Sequence, residues 1–186
     1  MNIIKNIREK IGNWFLKRKL KSLKRKKIVC NLEKANTAGV LFTHAENSNF
    51  EIINEFLRYL NEKNIKIFVL GYIHSNQIPE ELKKYQKINF ILKKDFNFFY
   101  KPKNHIIHSF IEKEFDLLID ISMQSYFPVK VINNLSRARF KAGKENNEGK
   151  DYDLMISLKR HQGLRFFIEQ IKHYLNRINL EKTIII

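Results

Sequence analysis

Short apolar runs recur along this chain, and between them lie segments whose apolar residues return every three or four positions. That alternation constrains the fold more than any motif does. A strand that is apolar throughout must be covered on both faces, and the intervening amphipathic helices are what can cover it. Residues 38–43, 65–72, 88–92, 115–121 and 153–157 are expected as strands, with 139–142 as a shorter one. Ser48 or Asn49 is placed to cap a helix with Glu51 in its first turn and Phe50, Ile53, Phe56, Leu57 and Leu60 on one face. Pro79 and Pro128 sit at the first position of two further helices, over 80–85 and through Leu135. Asn104 caps one over about 105–113, and 164–178 forms the last. The stretches 93–103 and 144–151 read as loops. The expected fold is α/β, a Rossmann-like three-layer sandwich with a mainly parallel sheet and right-handed crossovers. The likeness of EFDLLIDIS to DYDLMISLK suggests two neighbouring central strands.

The 186 residues suffice for one such domain, over 30–186, preceded by an arm over 1–29. The arm is set apart by charge. Of a net +16, the first thirty residues carry +10, with eleven basic side chains against Glu9 alone. Bias toward lysine codons would spread the charge evenly and would not exclude acids here. Ile4, Ile7, Ile11 and Trp14, with Phe15 and Leu16 beside them, predict an amphipathic helix, or two short ones, over about 2–27. Gly12 weakens it by roughly 1 kcal/mol relative to alanine and is a place for a bend. Such a segment suits three roles: a helix docking its Ile/Trp/Phe stripe on the domain, an arm neutralising phosphates, or an interfacial helix on anionic lipid. The tract LKRKLKSLKRKK runs past the last aromatic residue and favours nucleic acid.

No run approaches the ~18 apolar residues of a membrane span, and charge interrupts the start too often for a secretory signal. A cytoplasmic protein is expected, able to sit peripherally on the cytoplasmic membrane. The single Cys30 rules out an internal disulfide framework and is expected as a buried structural thiol.

The basic start, AGVLF, FVLGY, FDLLIDIS, LSRARFKAG and DLMI, closed by a final helix, resemble a bacterial family of small basic α/β proteins with no assigned function. The resemblance spans nearly the whole chain and implies no chemistry. Over about 114–143, DLLID, a helix and RARFKAG also resemble part of the N-terminal half of heptosyltransferase-type glycosyltransferases. With no second Rossmann domain following, that resemblance implies a half without a sugar-donor site.

In open parallel sheets ligands sit beyond the carboxyl ends of the strands. The positions there are Thr43, His44 and Glu46, then Tyr72 and His74, then Asp120, Ser122 and Gln124. His44, Tyr72 and Asp120 are the candidates for a site there, with His44 paired to Asp120 or Glu46 as acid and base, provided they face one crevice. The turn THAENSN lacks glycine, so neither a dinucleotide fingerprint nor a P-loop is present. His105 and His108 lie three apart on a helix without an acid or cysteine at ligand spacing, so no metal or other cofactor is expected. The expected function is non-enzymatic binding of a polyanion, RNA or the ribosome first. Lys17, Arg18, Lys19, Lys21, Lys24, Arg25, Lys26, Lys27, Arg137, Arg139 and Lys141 are the expected contacts. Lys144 and 159–161 would extend the second cluster if the segments adjoin. The aromatics of KKDFNFFYKPK are expected to pack that loop onto the core. The alternatives are peripheral membrane association through the same helix, and a small enzyme at the strand ends.

Overall fold

In the computed structural model, which describes residues 2–44, 50–146 and 151–178 with side chains from Asn6 onward, the apolar runs become strands of a single sheet. The expected caps Ser48 and Asn49, and Glu46, lie outside the described residues. The elements in chain order are α1 (Asn2–Ser22), β1 (Thr37–His44), α2 (Phe50–Glu62), β2 (Lys66–Ile73), β3 (Asn89–Leu92), α3 (His105–Glu112), β4 (Leu117–Asp120), α4 (Phe127–Leu135), β5 (Phe140–Lys144), β6 (Leu154–Ile156) and α5 (Leu164–Arg177). Among the described residues six strands pair, all parallel, in the order β3-β2-β1-β4-β5-β6. This is the order of a Rossmann sheet, whose direction of winding reverses between β1 and β4.

Alternate residues of each strand serve different layers. Val40, Phe42, Val69, Leu117 and Ile119 pack with the apolar faces of α2 and α5. Leu41, Leu70, Tyr72 and Leu118 pack with α3 and α4 on the other face. The expected three layers are therefore present. Asn104 caps α3 as its pattern suggested, its Oδ1 accepting from Ile106 N at 2.9 Å. Pro79 does not open an α-helix: only a single 3-10 turn, Glu80–Leu82, follows it.

Two expectations about neighbours are corrected. The strands of the DLLID and DLMI repeats, β4 and β6, are separated by β5, and β6 is an edge strand. Their likeness has a local cause instead. Each aspartate at a strand entrance ties the start of the next strand and an arginine: Asp116 accepts from Thr37 N at 3.0 Å and Arg139 at 3.1 Å. Asp153 does the same with Lys141 N at 2.9 Å and Arg25. The second basic patch does not form as one either, although Lys144 ends β5 beside Ile156 and so lies at the same end of the sheet as 159–161. Arg137 and Arg139 precede β5, whereas 159–161 follow β6, so in a parallel sheet they lie at opposite ends.

Helix α1 is docked, but not by the stripe its sequence offers. It runs through Gly12 as one helix, ends at Ser22 rather than near 27, and packs against α4. Gly12 is buried, and a Cβ there would stand 2.7 Å from Phe127 Cε1 and 3.1 Å from Phe99 O. The glycine is thus a contact device rather than a bend. Gly12→Ala, which on helix propensity alone would stabilise by about 1 kcal/mol, is expected to be neutral or destabilising by about 1 kcal/mol in a denaturant titration, because the methyl must displace the Phe127 ring.

Candidate functional site

The strand-end candidates do not form one crevice. Tyr72 and Asp120 belong to the face covered by α3 and α4, whereas His44, two residues on from Phe42, points to the other. There, burial lowers the His44 pKa, an effect partly offset by Glu81. The pleat therefore keeps His44 from Asp120, while Glu46, the other partner expected for it, lies outside the described residues. Asp120 is 3% exposed and is sealed by Tyr152, whose hydroxyl donates to it at 2.7 Å, while Ser122 N donates at 2.9 Å. Burial raises the Asp120 pKa despite these bonds. Gly143 makes room for the Tyr152 ring, which occupies the place of a Cβ. Tyr152 had no sequence signal, because it reaches Asp120 only through the β4-β5-β6 order.

Two of the expected nucleic-acid contacts, Lys141 and Arg25, are internal, and a third, Arg139, is partly so. Lys141, 4% exposed, donates from Nζ to the carbonyls of Asn133 and Asn134 in the last turn of α4, where a cation is favoured. Burial is the main cause that pulls its pKa down to about 7, with Arg25 adding to it. Arg25 forms a two-pronged pair with Asp153 at 2.6 and 2.7 Å. Burial alone would raise the Asp153 pKa, but the bonds from Arg25 and Lys141 N outweigh it and hold the carboxyl below its usual range. Arg139 is half-buried against Asp116. Cys30 is buried as expected, its thiol pushed up to about 11 chiefly by burial.

The remaining expected contacts lie at the surface. Lys17, Arg18, Lys19, Lys21, Lys24, Lys26 and Arg137 are exposed, and Lys27 is exposed with its ammonium 3.3 Å from Asp153. The segment after α1 runs beside the entrance of β5, where Ile28 N donates to Arg139 O at 3.2 Å. One cationic strip thus continues from the second half of α1 along the amino ends of the strands.

The docked face of α1 consists of Arg8, Gly12 and Leu16, which leaves the Ile/Trp row on the opposite side. Ile7 is 50% exposed, Ile11 38% and Trp14 62%. At i, i+4 and i+7 they make one apolar row, continued by Arg18, whose guanidinium lies 5.7 Å from the Trp14 ring centroid. Lys10, Lys17 and Lys21 flank it and are exposed. The helix is thus held by one face and shows water a short apolar row edged with lysines. No helix among the described residues is long and apolar enough to cross a membrane.

Beneath α1 a cavity of about 360 Å³ opens at the carboxyl ends of β2 and β3, lined among others by Arg8, Tyr72, His74, Lys93, Tyr100 and Tyr126. His74 stacks on Tyr126 at 4.6 Å and shares a hydrogen bond of 3.1 Å with the Tyr72 hydroxyl. The KKDFNFFYKPK loop divides: Phe96 is buried and Tyr100 packs on Phe127 at 4.8 Å, but Phe98 and Phe99 are exposed.

These features define a Rossmann-like α/β protein with a cationic helix docked against α4. The chain belongs to a family of unknown function, DUF6913, whose match spans residues 8–178. No curated protein matches the sequence.

Proposed function

We propose that this is a non-enzymatic, peripheral protein of an anionic membrane surface, the cytoplasmic face, held there by the outward side of α1. The observation that carries the reading is the exposed Ile7–Ile11–Trp14 row on a helix already docked by its other face. Trp14 and the isoleucines are suited to headgroup depth. Lys10, Lys17, Arg18 and Lys21 beside them are each worth about 1 kcal/mol against anionic lipid. In co-sedimentation, the protein is expected to partition onto phosphatidylglycerol vesicles and not onto phosphatidylcholine vesicles. Trp14→Glu is expected to lower that partition roughly tenfold or more while leaving the unfolding free energy within about 0.5 kcal/mol, because the side chain is exposed. Equal partition of wild type and variant would sink the reading.

A second reading, RNA or ribosome association, is favoured by the strip beyond the helix. Lys24, Lys26, Lys27 and Arg137 are exposed there, where the apolar row has ended. Binding of this kind loses affinity steeply with salt and does not use the indole, so Trp14→Gln, which removes the ring without adding a negative charge, separates the two readings.

A further inference from the structure

From the cavity beneath α1 we infer a binding site for a phosphate monoester, with Arg8 and Lys93 as its cationic contacts. Arg8 is fixed on three sides. Its guanidinium carbon lies 4.1 Å from the Tyr100 ring centroid and 5.1 Å from that of Phe98, and its Nε donates to Phe98 O. Its two terminal nitrogens have no acceptor among the described residues, so the fork that would grip an oxyanion is left open at the cavity wall. Lys93 comes to the same cavity from the end of β3, and its ammonium likewise has no acidic partner among the described residues.

Backbone geometry points the same way. Tyr100 is held at φ 62°, a left-handed conformation costly for a tyrosine, and in that conformation its ring lies beneath Arg8. Strain of this kind is retained where the surroundings over-determine it, commonly at ligand sites. The cavity lies beyond the carboxyl ends of the strands, where open parallel sheets bind ligands, and side-chain cations here do the work that glycine-turn amides do elsewhere. Glu9 also lines it, so the pair Arg8 and Lys93 leaves a net positive wall. A volume of about 360 Å³ exceeds a bare phosphate and suits a small phosphate ester.

The monoester could be free or the headgroup of a lipid, and the test separates these sources. Glycerol phosphate is titrated into the full chain by calorimetry, and sedimentation compares phosphatidic acid vesicles, which display a monoester, with phosphatidylglycerol vesicles, which do not. Saturable binding of glycerol phosphate, weakened roughly tenfold to a hundredfold in both Arg8→Gln and Lys93→Gln, is the expected result. A preference for phosphatidic acid lost in the same variants, without binding of glycerol phosphate, would assign the site to lipid. Lys93 lies outside α1, so its variant decides the matter should Arg8→Gln loosen the helix. No binding of glycerol phosphate together with no preference for phosphatidic acid overturns the inference, as does wild-type affinity in both variants. Partition onto phosphatidylglycerol tests the membrane reading separately, because neither residue belongs to the outward row of α1.

Discussion

Asp153→Ala is expected to lower the free energy of unfolding by about 3–5 kcal/mol, the range for removing one partner of a buried ion pair. The carboxylate accepts both prongs of Arg25 and the backbone N–H of Lys141, and the side chains of Arg25 and Asp153 are only 12% and 13% exposed. Without it, Arg25 is left desolvated beside the ammonium of Lys141, which its charge already depresses. Asp153 also joins the segment after α1 to the entrance of β5, through Arg25 and through Lys141 N. In urea titrations, Arg25→Met combined with Asp153→Ala should cost less than the two single changes added together, since the orphaned charge is gone. A loss below about 1 kcal/mol in the single Asp153 variant would mean that the pair does not hold these segments.

Between pH 7 and 9 the protein is expected to gain stability, by at most about 3 kcal/mol, and Lys141→Met is expected to abolish most of that gain. The Lys141 pKa falls from 10.5 when unfolded to about 7 when folded. Over the interval the unfolded chain therefore binds more protons than the folded one, and unfolding becomes harder as pH rises, by up to 1.36 kcal/mol per pH unit. Below pH 7 both states carry the proton and the burial penalty is complete. Above about pH 9, Cys30 acts in the opposite sense, because its thiol is held up to about 11 and stays protonated after the unfolded thiol has ionised. Chemical denaturation at pH 7, 8 and 9 in both proteins isolates the lysine. Equal slopes would show that the folded ammonium keeps its proton across the range.

The sheet was legible because its strands are short and apolar on both sides: β4, from Leu117 to Asp120, is buried at every position. Its order was less so, because β5, FKAGK, has little apolar signal and earns its place through Gly143 beneath Tyr152 and through Lys141. The charge pattern located the cationic helix but not its orientation. Helical periodicity shows which residues share a face, not which face meets the domain, and here the meeting was decided by Gly12 against Phe127. Counting basic residues could not separate Lys17, which is exposed, from Lys141, which is buried. That difference lies in which carbonyls a strand neighbour leaves to be satisfied. The cavity was legible only in part. Tyr72 and His74 were placed by the strand-end rule, but Arg8 arrives from another element, and the φ of Tyr100 has no sequence signature.

Trp14 is the only tryptophan in the chain, so its fluorescence reports the outward face of α1 and nothing else. The most direct test of the membrane account is to titrate the protein with phosphatidylglycerol vesicles that carry bromine-labelled acyl chains, and to follow that emission. The account predicts a blue shift and strong quenching by the lipid-borne bromine, both absent with phosphatidylcholine vesicles and both weakened by salt. Emission that stays at the wavelength of a water-exposed indole, unquenched at saturating anionic lipid, would contradict it.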